Sequence, residues 1–122
     1  LVVVEGNTSS RCGISMKGVD IVVGGCIGNL SGFMAQSGCL VVCGDVGEAL
    51  GDSAYEARFY IGGNVASLGA DCVEKQMEDE HITQLKNLLR QAGMESIDIS
   101  KFRRYGSGRK LYNFNIDNAG DY

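Results

Sequence analysis

The residue types best suited to metal binding, redox chemistry or nucleophilic catalysis are five cysteines, Cys12, Cys26, Cys39, Cys43 and Cys72, and a single histidine, His81. Their spacing offers little of that chemistry. The cysteine count is odd and no Cys-x-x-Cys pair occurs. Cys39 and Cys43 lie on one face of strand-like sequence but too far apart along it to bridge. Cys26, Cys39 and Cys43 fall inside repeated segments that want small buried side chains, which reads as reduced core thiols. A metal or cluster site and a catalytic thiol are the competing readings. A metal site at His81 would need ligands from far along the chain, and the start of a helix is usually solvated. With one histidine and no Gly-x-Ser-x-Gly elbow, a nucleophilic triad has little material.

The second chemical feature is basic. Lys101-Phe102-Arg103-Arg104-Tyr105-Gly106-Ser107-Gly108-Arg109-Lys110 holds five of the eleven Lys and Arg residues. Its Gly-Ser-Gly-Arg-Lys portion is not a phosphate loop, because the glycine spacing fails the Walker pattern. Gly24-Gly25-Cys26-Ile27-Gly28 likewise opens no helix, so a dinucleotide fingerprint is unsupported. Arg103, Arg104, Tyr105, Arg109 and Lys110 are therefore candidates for contact with an anionic ligand or an acidic partner surface. The other reading is a solvated basic stretch that offsets the acidic helix before it.

The elements that must position these residues are announced by glycine. Fourteen of 18 glycines lie in residues 1–69. Four apolar runs end on glycine: Val2-Val3-Val4-Glu5-Gly6, Ile21-Val22-Val23-Gly24, Val41-Val42-Cys43-Gly44 and Tyr60-Ile61-Gly62-Gly63. Their terminal glycines, Gly6, Gly24, Gly44 and Gly63, follow one another at intervals of 18, 20 and 19. Gly28 with Gly47, and Gly32 with Gly51, keep the same period. A repeat this short, rich in β-branched residues and without proline, cannot bury its own apolar face and must stack on its neighbours. Parallel strands at each repeat predict a β-solenoid, with glycines at corners or close approaches. Leucine-rich repeats lack their leucine framework here, calcium-binding nonapeptide rolls lack their aspartates, and an antiparallel sandwich is the remaining alternative. Because adjacent strand residues in the repeats are both apolar, both sheet faces need cover, from a helix of this chain or from a partner.

That helix is predicted from about Asp79 to Ala92, where Ile82, Leu85, Leu88, Leu89 and Ala92 recur at helical spacing and Gly93 stands as the residue just past the end. The division expected is a Gly-repeat β-helix over 1–72, a covering α-helix over 73–93 and a basic C-terminal tail over 94–122. Within the tail, Leu111-Tyr112-Asn113-Phe114-Asn115-Ile116 alternates as a docking strand would. At 122 residues this is one domain, and 44% apolar content argues against disorder. The chain opens on Leu1-Val2-Val3-Val4 without an initiator Met, which predicts that repeats are missing at its start. The net charge of −4 gives nucleic-acid binding no global support. No apolar run reaches the roughly 18 residues of a membrane span, and no signal peptide is evident. A cytoplasmic location is expected.

The glycine frame, the segment Tyr60-Ile61-Gly62-Gly63-Asn64-Val65-Ala66-Ser67-Leu68-Gly69-Ala70-Asp71-Cys72 and the ending Arg103 to Phe114 together resemble the stand-alone domain 3 proteins of glutamate synthase. These are GXGXG-motif proteins related to the C-terminal domain of the glutamate synthase large (alpha) chain, and they include subunits of N-methylglutamate synthase. The resemblance runs over essentially the whole chain. Formylmethanofuran dehydrogenase contains a subunit with the same kind of glycine repeat, and the ending favours the glutamate synthase side. The resemblance implies a single-stranded right-handed parallel β-helix with rungs of about 19 residues, then one α-helix and a tail. It also implies a scaffold role in an oxidoreductase complex, docking glutamine amidotransferase and FMN-binding subunits. FMN and iron–sulfur clusters are expected in those partners. No catalytic, cofactor-binding or metal residue carries over to this chain. A homo-oligomer, an anion-binding or catalytic protein, and a subunit of a formylmethanofuran-dehydrogenase-like enzyme stay open as alternatives.

Overall fold

A computed structural model describes residues 1–9, 12–13 and 16–108. Short runs rich in β-branched, aromatic and other apolar residues form strands β1 (Val2–Val4), β2 (Ile21–Val23), β3 (Cys39–Val42) and β4 (Arg58–Ile61). They pair in parallel, and every register step is the same: Val4 faces Val23, Val23 faces Val42, and Val42 faces Ile61. The glycine that completes the second run is therefore Gly25, not Gly24. Gly25 N–H donates to the Gly6 carbonyl at 3.0 Å, Gly44 to Gly25 at 2.9 Å and Gly63 to Gly44 at 3.0 Å. Counted to Gly25, the uneven intervals of the sequence become equal.

The strands do not continue as a parallel β-helix followed by a tail. After β4 the chain forms β5 (Cys72–Lys75), then helix α1 (Asp79–Gln91), and returns as β6 (Arg103–Ser107). The result is one six-stranded mixed sheet in the order β1-β2-β3-β4-β6-β5. β6 lies antiparallel to both β4 and β5, with Tyr105 opposite Phe59 on one side and Glu74 on the other. Thus part of the segment expected to be a tail takes the place beside β4 that a next parallel strand would occupy. Beyond this sheet, parallel pairing among the described residues is reduced to the isolated bridges Ile27–Val46, Val46–Val65 and Leu50–Leu68. The described residues are mainly β, as a mixed sheet with one helix.

Alternation along the strands divides the core in two. Val23, Leu40, Val42, Phe59 and Ile61 point into one cluster, which also receives Ile27, Val46, Leu50 and Tyr105. Val22, Cys39, Val41 and Tyr60 point the other way, against Leu85, Leu88 and Leu89 of α1 and against Phe102. The second apolar face is thus covered by this chain's own helix. Each large side chain sequestered here contributes about 1.5–3 kcal/mol relative to exposure. Tyr60, wholly buried, meets the requirement of its phenol by donating to Gln84 Oε1 at 2.5 Å, an oxygen that also accepts from Arg58 Nη1 at 2.9 Å. These bonds fix α1 to β4. Past the Ala92 C-cap of α1, Gly93 has a φ of 76°, which permits Met94 N–H to bond back to the Leu89 carbonyl at 2.8 Å.

The corners repeat as faithfully as the strands. Leu30 and Ala49 have φ of 58° and 62°, and Met34 and Ser53 have 54° and 58°. Left-handed backbone costs a non-glycine residue about 1–2 kcal/mol, so packing must impose it. Between these positions lie Gly32 and Gly51, where an added Cβ would come within 2.7 Å of opposite edges of the Phe59 ring.

The glycine column predicts a contrast within one set of equivalent positions. A Cβ on Gly44 would meet the Gly25 carbonyl at 2.7 Å and Cys26 Sγ at 2.8 Å, whereas one on Gly6 meets nothing within 4 Å. Gly44→Ala should lower unfolding free energy by about 2–3 kcal/mol in denaturant titration, whereas Gly6→Ala should change it by less than about 0.5 kcal/mol.

Candidate functional site

Next to the glycine column runs a column of polar side chains that bind backbone in the neighbouring repeat. Asn7 Oδ1 accepts the Cys26 N–H at 2.7 Å, Cys26 Sγ accepts the Asp45 N–H at 3.2 Å, and Asp45 Oδ1 accepts the Asn64 N–H at 2.9 Å. Each step spans 19 residues. Shorter columns do the same elsewhere: Asp20 Oδ1 accepts the Cys39 N–H at 3.0 Å and Asn29 Oδ1 accepts the Glu48 N–H at 2.8 Å. Backbone donors at the corners and at the start of β3 are satisfied this way. The recurrence of Asn, Cys, Asp and Asn directly after Gly6, Gly25, Gly44 and Gly63 is the sequence signal for this column.

The cysteines are all free and serve different ends. Cys39 and Cys72 are buried, and burial pushes both thiols up to about 11, with Asp20 adding to the effect at Cys39. Burial also raises Cys43. Burial thus disfavours the thiolate at all three, the form that acts as nucleophile and metal ligand. Cys26 is exposed and acts as a hydrogen-bond acceptor in the column, so it is not the core residue its repeat position suggests.

His81 also departs from expectation. It is buried, only 4% exposed, rather than solvated. Its Nδ1 accepts the N–H of Glu78, the N-cap of α1, at 3.1 Å. That bond requires the neutral ring. Burial, then the charges of Arg104 and Arg58, lower the imidazole pKa below its ordinary value, outweighing Glu80 and Glu78. Glu78, Glu80 and His81 form the one group of three potential metal ligands among the described residues, with His81 Nδ1 already committed to the backbone.

The basic candidates do not converge. Arg103 is exposed, with Nη1 3.6 Å from Glu74 Oε1. Arg104, its neighbour on β6, faces the helix side, and its Nε donates to the Gln76 carbonyl at 3.0 Å. Tyr105 is buried in the core cluster with Phe59. Arg109, Lys110 and the alternating segment 111–116 lie outside the described residues. Arg103 instead joins Lys101, the first residue of the basic stretch but not one of the five candidates. Together with Ser100, Phe102 and Tyr105 they line a cleft of about 790 Å³ whose opposite wall is Gly62, Gly63, Asn64 and Val65. This wall is the outermost repeat of the parallel stack. The site is therefore a strip of corner backbone facing two cations.

Comparison with curated protein sequences finds 61% identity over 96 residues, 79% of this chain, with Protein GlxC of Rhizobium meliloti (strain 1021). The aligned region is 42% of that protein, so the chain spans less than half the length of this relative. No protein-family description matches the chain, and no solved structure matches it. Among the described residues, no helix is long and apolar enough to cross a membrane.

Two outcomes test the polar assignments. Asp45→Ala, which removes the acceptor for Asn64 N–H, should cost about 1 kcal/mol of stability, and Asp45→Asn should restore most of it. For His81, the folded pKa lies below the unfolded value of 6.5, so the unfolded chain binds the proton more readily. Its contribution to stability is complete above pH 6.5 and is lost as pH falls through that value toward the folded pKa. Denaturant midpoints measured across this window should fall with pH in the native chain, and His81→Asn, which keeps an acceptor, should remove that slope.

Proposed function

We propose that this chain is a structural part of a glutamate-synthase-like oxidoreductase complex, a scaffold that docks glutamine amidotransferase and FMN-binding subunits. The observation that carries the reading is how the polar and reactive side chains are used. Asn7, Cys26, Asp45, Asp20 and Asn29 tie repeat to repeat, His81 caps α1, and Arg58, Tyr60 and Gln84 fasten the helix to the sheet. Chemistry-bearing residues spent on rigidity suit a part whose work is to hold others in place. The resemblance of the glycine frame, the 60–72 segment and the ending Arg103 to Phe114 to glutamate synthase domain 3 proteins supports this choice of partners. FMN and iron–sulfur chemistry belong, in this reading, to those partners. A cytoplasmic location accords with it.

Isolation of the full-length protein from its native source, under conditions that preserve assemblies, tests the proposal. The expected result is co-purification with an amidotransferase and a flavin-containing protein, visible by mass spectrometry and flavin absorbance. A protein recovered alone, with neither partner cross-linked to it in cells, contradicts it.

A further inference from the structure

The cleft beside Lys101 and Arg103 faces backbone whose binding preferences are already displayed three times within the molecule. At each of three steps between successive repeats a glycine N–H donates to the glycine carbonyl of the preceding repeat, from Gly25 to Gly6, Gly44 to Gly25 and Gly63 to Gly44. The next residue donates its N–H to a side chain of the column, as Cys26, Asp45 and Asn64 do. The carbonyl of that same residue accepts an N–H from the preceding repeat: Thr8 to Cys26, Ile27 to Asp45 and Val46 to Asn64. The residue after it is apolar, and Ile27 and Val46 pack into the core. At the outermost repeat the same three groups recur as the Gly63 carbonyl, Asn64 Oδ1 and the Val65 N–H. Among the described residues none of the three has a hydrogen-bond partner.

We propose that this cleft binds an extended acidic segment of a partner protein that carries Gly-x-Val or Gly-x-Ile, laid parallel on Gly63–Val65 as the next layer of the stack. Glycine is required at the first position for the reason it is required at Gly44 and Gly63, where a Cβ would meet the underlying glycine carbonyl at 2.7 and 2.5 Å. The middle position is open to any residue with a free N–H and carbonyl, as the variety of Cys26, Asp45 and Asn64 shows. The third position needs a β-branched side chain to cover Val65, continuing the Ile27–Val46–Val65 line. Two main-chain bonds and one to an amide side chain supply affinity, as in other strand-addition modes.

Charge and topology narrow the occupant further. β6 covers β4, with Arg103 opposite Ile61, so the incoming chain cannot lie along β4 before its glycine. It leaves the sheet there and passes Lys101 and Arg103, which favours Asp or Glu in the residues before glycine. The Arg103–Glu74 pair is exposed and long at 3.6 Å, so a bound carboxylate displaces it at little cost. A second copy of this chain fits less well: its Glu5-Gly6-Asn7 has the right groups, but β1 precedes it and would run into β6.

The proposal deepens the scaffold reading by naming the chemistry of one docking segment, and it is separable from it. Fluorescence anisotropy of a labelled peptide Asp-Glu-Gly-Asn-Val-Glu, titrated with the full chain, reads the interaction directly. Saturable binding is expected, weakened roughly tenfold or more when leucine replaces the peptide glycine, and similarly by the double change Lys101→Glu and Arg103→Glu. Asn64→Ala should weaken it several-fold, through loss of one acceptor, with an unchanged melting temperature for each variant. Absence of saturable binding overturns the proposal, as does equal binding of the leucine peptide, which would reduce the contact to charge alone. Self-association of the chain that blocks the peptide also overturns it, in favour of a second copy. Should the peptide fail while the native complex still assembles, this inference falls and the scaffold reading stands.

Discussion

The fold rests on one constraint: consecutive repeats must come close enough for a glycine N–H to reach the glycine carbonyl one repeat before it, at 2.9–3.0 Å. The consequences run outward from that contact. Side chains are excluded at Gly25, Gly44 and Gly63, because a Cβ would overlap the layer below. The strands beside the column are locked in parallel register, and the residue after each glycine is placed where its side chain can reach the next backbone N–H. Corners must then turn within a few residues, which is why left-handed backbone recurs at Leu30 and Ala49 and at Met34 and Ser53 despite its cost.

A stack bound by repeat-to-repeat hydrogen bonds leaves both sheet faces apolar, and the second half of the chain answers that. Helix α1 covers the face formed by Val22, Val41 and Tyr60. β6 then returns to close the β4 edge, which would otherwise present unpaired donors and acceptors. Closure is incomplete at the corner beyond β4, where Gly63, Asn64 and Val65 look onto Lys101 and Arg103. The same geometry that stabilises the interior thus creates, at its last layer, a surface with defined chemical demands.

Much of this is legible in the sequence, and the parts that are not have physical reasons. The repeat shows because close backbone contact tolerates only glycine, and the helix shows because one apolar stripe recurs between Ile82 and Ala92. The register at Gly24-Gly25 is ambiguous in sequence because adjacent glycines look alike and only hydrogen bonding distinguishes them. The mixed sheet is hidden because Arg103–Ser107 carries polar and glycine residues that read as a tail, while its strand character comes from pairing with β4 and β5. Nothing local marks His81 as buried, since its surroundings include arginines from β4 and β6 that are distant in sequence. Of the basic candidates, Arg103 and Arg104 fall on opposite faces of one strand, which no count of charges reveals. Lys101 gains its place only from the turn that brings it opposite Asn64.

Amide hydrogen exchange followed residue by residue tests the central claim most directly. If repeat-to-repeat bonding holds the fold together and ends at an open layer, the amides of Gly25, Gly44, Gly63, Cys26 and Val46 exchange only through large-scale unfolding, and that of Val65 exchanges orders of magnitude faster. Equal protection of Val65 and Val46, or rapid exchange at Gly44, would contradict it.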